Sequence, residues 1–88
     1  MTIEQQLRAL SGGQYVMLIR HFVGKQSDSM IGNFFLFQDR TDKELMINFN
    51  SHEMAIIFGV SDIKNIEKLN TDGGIEIIRL KNPSDYLD

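Results

Sequence analysis

The stretch SMIGNFFLFQDRTDKELMINF, residues 29–49, decides the fold, because it sets four large apolar side chains side by side: Phe34, Phe35, Leu36 and Phe37. A β-strand sends successive side chains to opposite faces. In a strand over residues 30–38, Phe35 and Phe37 should therefore share one face, with Phe34 and Leu36 on the other. The pattern predicts a strand whose two faces both need cover from water.

The segments around this strand carry further strand signals. Apolar runs rich in β-formers, separated by polar or Gly-containing breaks, predict strands over residues 14–22, 44–49, 54–60 and 75–80. The strand over 14–22 is also apolar on both faces at its start. Cover for the second face of these strands should come from the N-terminal helix, from a partner subunit, or from both.

One helix is predicted before the strands, over about residues 3–11. Thr2 and Gln5 have the spacing of a capping box. Ile3, Leu7 and Leu10 then recur at helical spacing, and the Gly12–Gly13 pair gives a stop signal.

The segment SDIKNIEKL, residues 61–69, is ambiguous. Ser61 could cap a helix that carries Ile63 and Ile66 on one side. We prefer a short turn of tight helix followed by a strand, because the Gly-ended turn at 70–74 leads directly into the strand over 75–80, as in a hairpin.

The predicted fold is mainly β with an N-terminal α-helix, arranged as a small five- to six-stranded antiparallel barrel. The alternative is a two-layer α+β fold in which residues 61–69 form a second helix. Residues 1–80 should make one globular domain, and residues 81–88 a loose acidic tail with the only proline.

Composition limits the function further. The 88 residues carry a net charge of −3 and no cysteine, so a disulfide framework, a thiolate zinc site and a Cys nucleophile are excluded. Lys and Arg are spread along the chain, without the basic stripe that is typical of nucleic-acid binders. No apolar run approaches the roughly 20 residues of a membrane span. We expect a cytoplasmic protein with no membrane contact.

Two local patterns resemble the Sm-like and SH3-like small β-barrels over residues 3–69. In residues 32–39, Gly32 could permit strong bending and Phe37 follows it as an aromatic does in the second strand of that family, with the acid, Asp39, one place later than in the family. Residues 56–69 resemble the family's closing element: an apolar strand with Gly59, a polar turn, then Ile63 and Ile66. The resemblance implies a barrel that could assemble into a ring.

The same resemblance gives no RNA-contacting residues. The Asn that the family places after the acid is absent, since Arg40, Thr41 and Asp42 occupy that stretch. Phe58 and Gly59 replace the basic pair of the family's RNA-contacting loop.

The chain shows no catalytic or metal-binding pattern. His21 and His52 lack close ligand spacing, and neither a G-x-S-x-G motif nor a complete phosphate loop is present. We predict no enzyme activity, no metal and no cofactor, and interpret the two histidines as an edge and a turn residue.

The predicted function is that of a small interaction module that self-associates and has a regulatory or architectural role through protein contacts. The candidate interface residues are Tyr15, Met17, Phe22, Phe35, Phe37 and Ile57. The alternative is a divergent Sm-like nucleic-acid-binding ring, with candidate contacts at Arg20, Lys25, Arg40 and Lys43. A homo-oligomer is the favoured partnership, another protein is a second option, and nucleic acid is not favoured.

Overall fold

A computed structural model describes residues 2–10, 12–21, 26–68, 75–82 and 85. The order of the described elements is α1 (Ile3–Ala9), β1 (Tyr15–Arg20), β2 (Asp28–Gln38), β3 (Leu45–Ser51), β4 (Ala55–Gly59), the 3-10 helix η1 (Val60–Asp62), β5 (Ile63–Lys68) and β6 (Glu76–Leu80). The mainly β fold with an N-terminal helix is confirmed, and the strands begin and end within about two residues of their predicted bounds. The described part of the chain has no helix long and apolar enough to cross a membrane.

The N-terminal helix begins as its sequence predicts. Thr2 Oγ1 accepts a hydrogen bond from the Gln5 N–H at 3.1 Å, and Gln5 Oε1 accepts one from the Thr2 N–H at 2.9 Å, which completes the capping box. The helix ends at Ala9, earlier than predicted, because Leu10 already has extended backbone angles. Leu7 is the residue of this helix that is fully buried, and it packs into the core.

The six strands form one sheet in the order β4-β3-β2-β1-β6-β5. Neighbouring strands are antiparallel except β1 and β6, which run parallel. The prediction of a purely antiparallel arrangement is therefore wrong. The reason is that β6 lies between β1 and β5. It runs antiparallel to β5 and therefore parallel to β1. The sheet is open, with β4 and β5 as its two edges.

The ambiguous segment 61–69 is a strand where the structure describes it. Residues 60–62 form η1, and β5 follows at once and pairs with β6. The preferred prediction of a tight turn followed by a strand is confirmed, and the alternative with a second helix is wrong. The connection over 70–74 lies outside the described residues.

The core lies on the inward face of the sheet, where the side chains are largely removed from water. Its buried members are Leu7, Val16, Leu18, Phe34, Ile47, Phe49, Phe58, Ile63 and Ile78. Since Leu7 belongs to this cluster, the helix covers the inward face. The outward face of β1–β4 therefore has no cover from the helix.

The segment after β6 contacts the η1 and β5 region. The Lys81 N–H donates to the Asp62 carbonyl oxygen at 2.9 Å, and Lys64 Nζ lies 3.5 Å from Asp85 Oδ2. Most of the remaining predicted tail lies outside the described residues. The prediction of a single domain over 1–80 with a loose tail stays a prediction.

Candidate functional site: an uncharged face of the sheet

Strand register brings the outward side chains of β1–β4 onto one continuous surface, which we call the uncharged face. In register, Met17 lies beside Ile31, Phe35 beside Asn48, and Asn48 beside Ile57. The face consists of Tyr15, Met17, Ile19, Ser29, Ile31, Asn33, Phe35, Phe37, Met46, Asn48, Asn50, Ala55, Ile57 and Gly59. None of these positions carries a charged side chain, in a chain of which 24% is charged.

Large apolar side chains on this face are open to solvent. Tyr15 is 64% exposed, Ile57 60%, Ile31 51%, Phe35 47% and Phe37 39%. Scattered single apolar residues are normal on a protein surface, whereas a contiguous group marks a binding surface. These five side chains lie on one face of four adjacent strands, so they form a contiguous group.

The backbone beneath the aromatic part of this face is fixed by local contacts. Gly13 has a left-handed φ of +83°, and a Cβ there would stand 3.3 Å from the Phe35 ring. The Gly13 N–H donates to the Phe34 carbonyl oxygen at 2.8 Å, and Asn33 Nδ2 donates to the Gly13 carbonyl oxygen at 2.6 Å. The residues before β1 are therefore held against β2, and they support the ring of Phe35.

Asparagine side chains provide the polar groups in the middle of the face. Asn33 and Asn50 are cross-strand partners on β2 and β3, and Asn48 lies opposite Phe35. Asn48 Oδ1 is buried and has no hydrogen-bond partner among the described residues. A buried acceptor without a donor is uncommon in folded proteins, so this amide is the unusual polar group of the face.

Charged groups border the uncharged face. The Glu44 carboxylate lies over the outward side of Gly59, where it also accepts a hydrogen bond from Ser61 Oγ at 2.9 Å. Beyond β1, on the outward side of β5 and β6, Arg79 Nε donates to Glu67 Oε1 at 3.0 Å. A centre without charged side chains inside a polar rim is the usual arrangement of a protein–protein interface.

The structure brings most of the sequence-predicted interface residues together. Tyr15, Phe35, Phe37 and Ile57 are exposed on the uncharged face, and Met17 is half-buried on it. Phe22 lies outside the described residues. Sequence reasoning missed Ile31 and Asn48, because their membership depends on the register that puts Ile31 beside Met17 and Asn48 beside Phe35.

The candidate nucleic-acid contacts are not gathered in one place. Arg20 lies at the end of β1, where its guanidinium forms a two-hydrogen-bond ion pair with Asp28. Arg40 and Lys43 lie in the turn at the opposite end of the eleven-residue β2. At about 3.3 Å per residue, roughly 30 Å of strand separates the two groups. Lys25 lies outside the described residues.

The ion pair changes the titration of both partners. Side-chain hydrogen bonds between them favour both charged forms, so the pKa of Arg20 is raised above its ordinary value and the pKa of Asp28 is lowered below its own. Arg20 is therefore already engaged within the chain, and this leaves it less available to a phosphate.

His21 and His52 lie outside any metal-binding group in the part of the chain that the structure describes. Among the described residues, no group of three or more His, Asp or Glu side chains is placed to hold a metal ion. His52 lines an open surface cleft of about 390 Å³ between the start of β2 and the β3–β4 turn, together with Arg20, Asp28 and Glu53. These charged groups already include one satisfied ion pair.

Comparison of the chain with protein-family models, with curated proteins and with solved structures found no match. The residues that carry the Sm-like resemblance have definite places in the fold. Gly32 is buried in the middle of β2, Phe37 is on the uncharged face, and Asp39 starts the turn after β2, where its Oδ1 accepts from the Thr41 N–H at 2.7 Å. The resemblance itself stays a prediction.

Proposed function

We propose that this protein is a non-catalytic interaction module that self-associates through the uncharged face and has a regulatory or architectural role through protein contacts. The observation that carries the proposal is the contiguous set of exposed apolar side chains on β1–β4, with no charge among them. Because the helix covers the opposite face of the sheet, this face is left for a partner.

The size of the face suits a protein partner. The five exposed large apolar side chains of the face, at roughly 100 Å² each, contribute about 500 Å² of apolar surface if each has the area typical of a large apolar residue. The half-buried side chains of Met17, Ile19 and Met46 extend it. A standard interface buries about 800 Å² on each partner, so this face has the extent that a specific contact needs.

The charge distribution favours protein over nucleic acid as the partner. Neutralised phosphates supply most of the affinity in nucleic-acid binding, and that requires Lys or Arg on the contact surface. The uncharged face has neither, and the described candidates lie apart, with Arg20 at one end of β2 and Arg40 and Lys43 beyond the other. An apolar face with amide hydrogen-bonding groups instead matches another apolar protein surface.

The barrel predicted from the sequence is also part of the proposal. The three residues of η1 join β4 directly to β5, the two edge strands of the sheet. So short a connection keeps the two edges close together at that end. We expect a strongly curled sheet that approaches a partly open barrel, in which β4 and β5 amides exchange more slowly than those of free edges.

The test is the oligomeric state of the untagged protein, measured by native mass spectrometry and by light scattering after gel filtration. Ile57→Asp puts a charge on the face, next to Asn48, at a side chain that is 60% exposed, so it should give a folded monomer. Asn65→Asp is the matched control, because Asn65 is exposed on the outward side of β5, outside the uncharged face. It should leave the oligomer unchanged.

A wild-type protein that stays monomeric at about 100 μM would contradict self-association, since it implies a dissociation energy below about 5.5 kcal/mol. A ring of five to seven subunits that carries nucleic acid would instead favour the Sm-like alternative. In that case RNA affinity should fall by orders of magnitude with added salt.

A further inference from the structure

The amide of Asn48 occupies a central place in the uncharged face. It lies between Phe35 on β2 and Ile57 on β4, two side chains that are themselves exposed. Its Oδ1 is buried without a donor in the part of the chain that the structure describes. A buried acceptor of this kind ordinarily receives a hydrogen bond, and no residue that the structure describes donates one to it.

When another protein covers the face, the Asn48 amide loses water as a hydrogen-bond partner and needs hydrogen bonds from that protein. Asn48 as a whole is only partly buried, so a second surface would remove the rest of its amide from water. Both the oxygen and the NH₂ group would then need hydrogen bonds from the molecule that covers them. The torsion that orients a terminal amide is broad, so the group can turn its oxygen outward when a donor arrives.

We infer that the partner is a second copy of this chain, packed face to face about a two-fold axis beside Asn48, and that the two Asn48 amides bond to each other. This inference rests on the proposed function. In a two-fold interface each surface meets itself, so a residue on the axis faces its own counterpart. An amide is both donor and acceptor, and two of them satisfy each other reciprocally.

The charge of the chain favours this particular face for a contact between copies. Two molecules with a net charge of −3 repel one another, and the repulsion is smallest where the meeting surfaces carry no charge. The uncharged face supplies such a surface across four strands. A single polar residue in an apolar interface commonly fixes register and oligomeric state, and Asn48 has the position for that role.

The test uses two opposite charges at position 48. Asn48→Asp and Asn48→Lys place like charges together in their homodimers, so each alone should dimerise at least about tenfold more weakly than wild type. The two variants are then mixed in equal amounts with different mass labels. The fraction of heterodimers should be well above the value of about one half that random pairing of identical subunits gives. Labelled and unlabelled wild type supply that random reference.

The outcomes separate the two proposals. If the wild type is dimeric and the Asn48→Asp and Asn48→Lys variants pair at random, the role of Asn48 is overturned and self-association still stands. A monomeric wild type would overturn both. If circular dichroism shows that the charged variants are unfolded, Asn48→Leu decides, because it keeps the size of the side chain and removes the amide. A tenfold or larger change in dimer affinity supports the inference, and an unchanged affinity overturns it, with Asn65→Leu as the control.

Discussion

Phe34 and Phe35 are neighbours in the chain and lie on opposite faces of β2. The Phe34 side chain is fully buried in the core, whereas Phe35 is 47% exposed on the uncharged face. The four large apolar residues at 34–37 thus belong to two surfaces with different roles. Phe34 and Leu36 face inward and pack in the core of the monomer. Phe35 and Phe37 face outward and form part of the surface that we propose as an interface.

Phe34→Leu and Phe35→Leu should therefore differ in their effect on monomer stability. Phe34→Leu should lower the free energy of unfolding by about 1–2 kcal/mol, because it removes buried atoms and leaves a cavity. Phe35→Leu should change it by less than about 0.5 kcal/mol. Urea unfolding in the Ile57→Asp background keeps association out of the measurement. Equal losses for the two variants would contradict the assignment of faces.

The Arg20–Asp28 ion pair should contribute to stability in a pH-dependent way. Asp28 lies opposite Arg20 in the β1–β2 register, with Nε–Oδ1 and Nη2–Oδ2 distances of 3.1 and 2.6 Å. The geometry is good, but Asp28 is 39% exposed. Asp28→Asn should therefore cost only about 0.5–1 kcal/mol at low salt, and less at high salt.

The sign of the pH effect follows from the lowered pKa of Asp28. The stabilisation is present above the pKa of the unfolded chain, about 3.9, and is lost as the pH falls through the lower pKa of the folded protein. The difference in free energy of unfolding between wild type and Asp28→Asn should therefore become smaller in acid. Glu4→Gln is the control, since its partner Arg8 is on an exposed helix surface and the pair should contribute less. A difference that becomes larger in acid would contradict stabilisation by the ionised Asp28 side chain.

Gly32 should tolerate no side chain. A Cβ at this position would collide with the carbonyl oxygen of Asn50 and stand 2.9 Å from Cζ of Phe49. Both contacts involve backbone or a fully buried ring, so neither can move cheaply. Gly32→Ala should lower the free energy of unfolding by about 2–3 kcal/mol, as overpacking does.

Gly12→Ala is the matched control for Gly32→Ala. A Cβ at Gly12 would have nothing within 4 Å, and among the described glycines it is Gly13, not Gly12, that has a positive φ. The substitution should be neutral or raise stability by up to about 1 kcal/mol, because it restricts the unfolded chain. Thermal melts of the two variants measure the contrast, and a similar Tm for both would count against the tight approach at Gly32.

Local signals predicted the elements that depend on local physics. The capping box at Thr2 and Gln5 and the alternation at 34–37 need only neighbouring residues, and both have the predicted form. The parallel pairing of β1 with β6 is different, because residues 16–19 and 76–79 are far apart in sequence and no local pattern records their meeting. For the same reason Asn48 could not be recognised as part of the candidate site.

The ambiguity of residues 61–69 also has a physical cause. Ile63 and Ile66 are three positions apart, which is a helical spacing, yet they lie in a strand. The register with β6 shifts between Ile63 and Asn65, so β5 contains an extra residue there. This bulge turns Ile63 and Ile66 toward the same face of the sheet. A bulge in a strand can therefore imitate the apolar period of a helix.

Asp62 should hold the junction between β4 and β5. Its Oδ2 accepts a hydrogen bond from the Gly59 N–H at 3.1 Å, and its carbonyl oxygen accepts one from the Lys81 N–H. Asp62→Ala should cost about 1–2 kcal/mol, because it removes a charged acceptor from a partly buried N–H. The same variant should speed hydrogen exchange at Gly59.

Two further variants separate this role from a general effect on the turn. Asp62→Asn keeps an acceptor oxygen and should recover part of the loss. Ser61→Ala removes only the exposed hydrogen bond to Glu44, so it should cost less than about 0.5 kcal/mol and leave Gly59 exchange slow. If Gly59 exchanges at the wild-type rate in Asp62→Ala, the carboxylate does not hold this junction. If it exchanges faster there and not in Ser61→Ala, Asp62 is the residue that anchors the two edge strands of the sheet to each other.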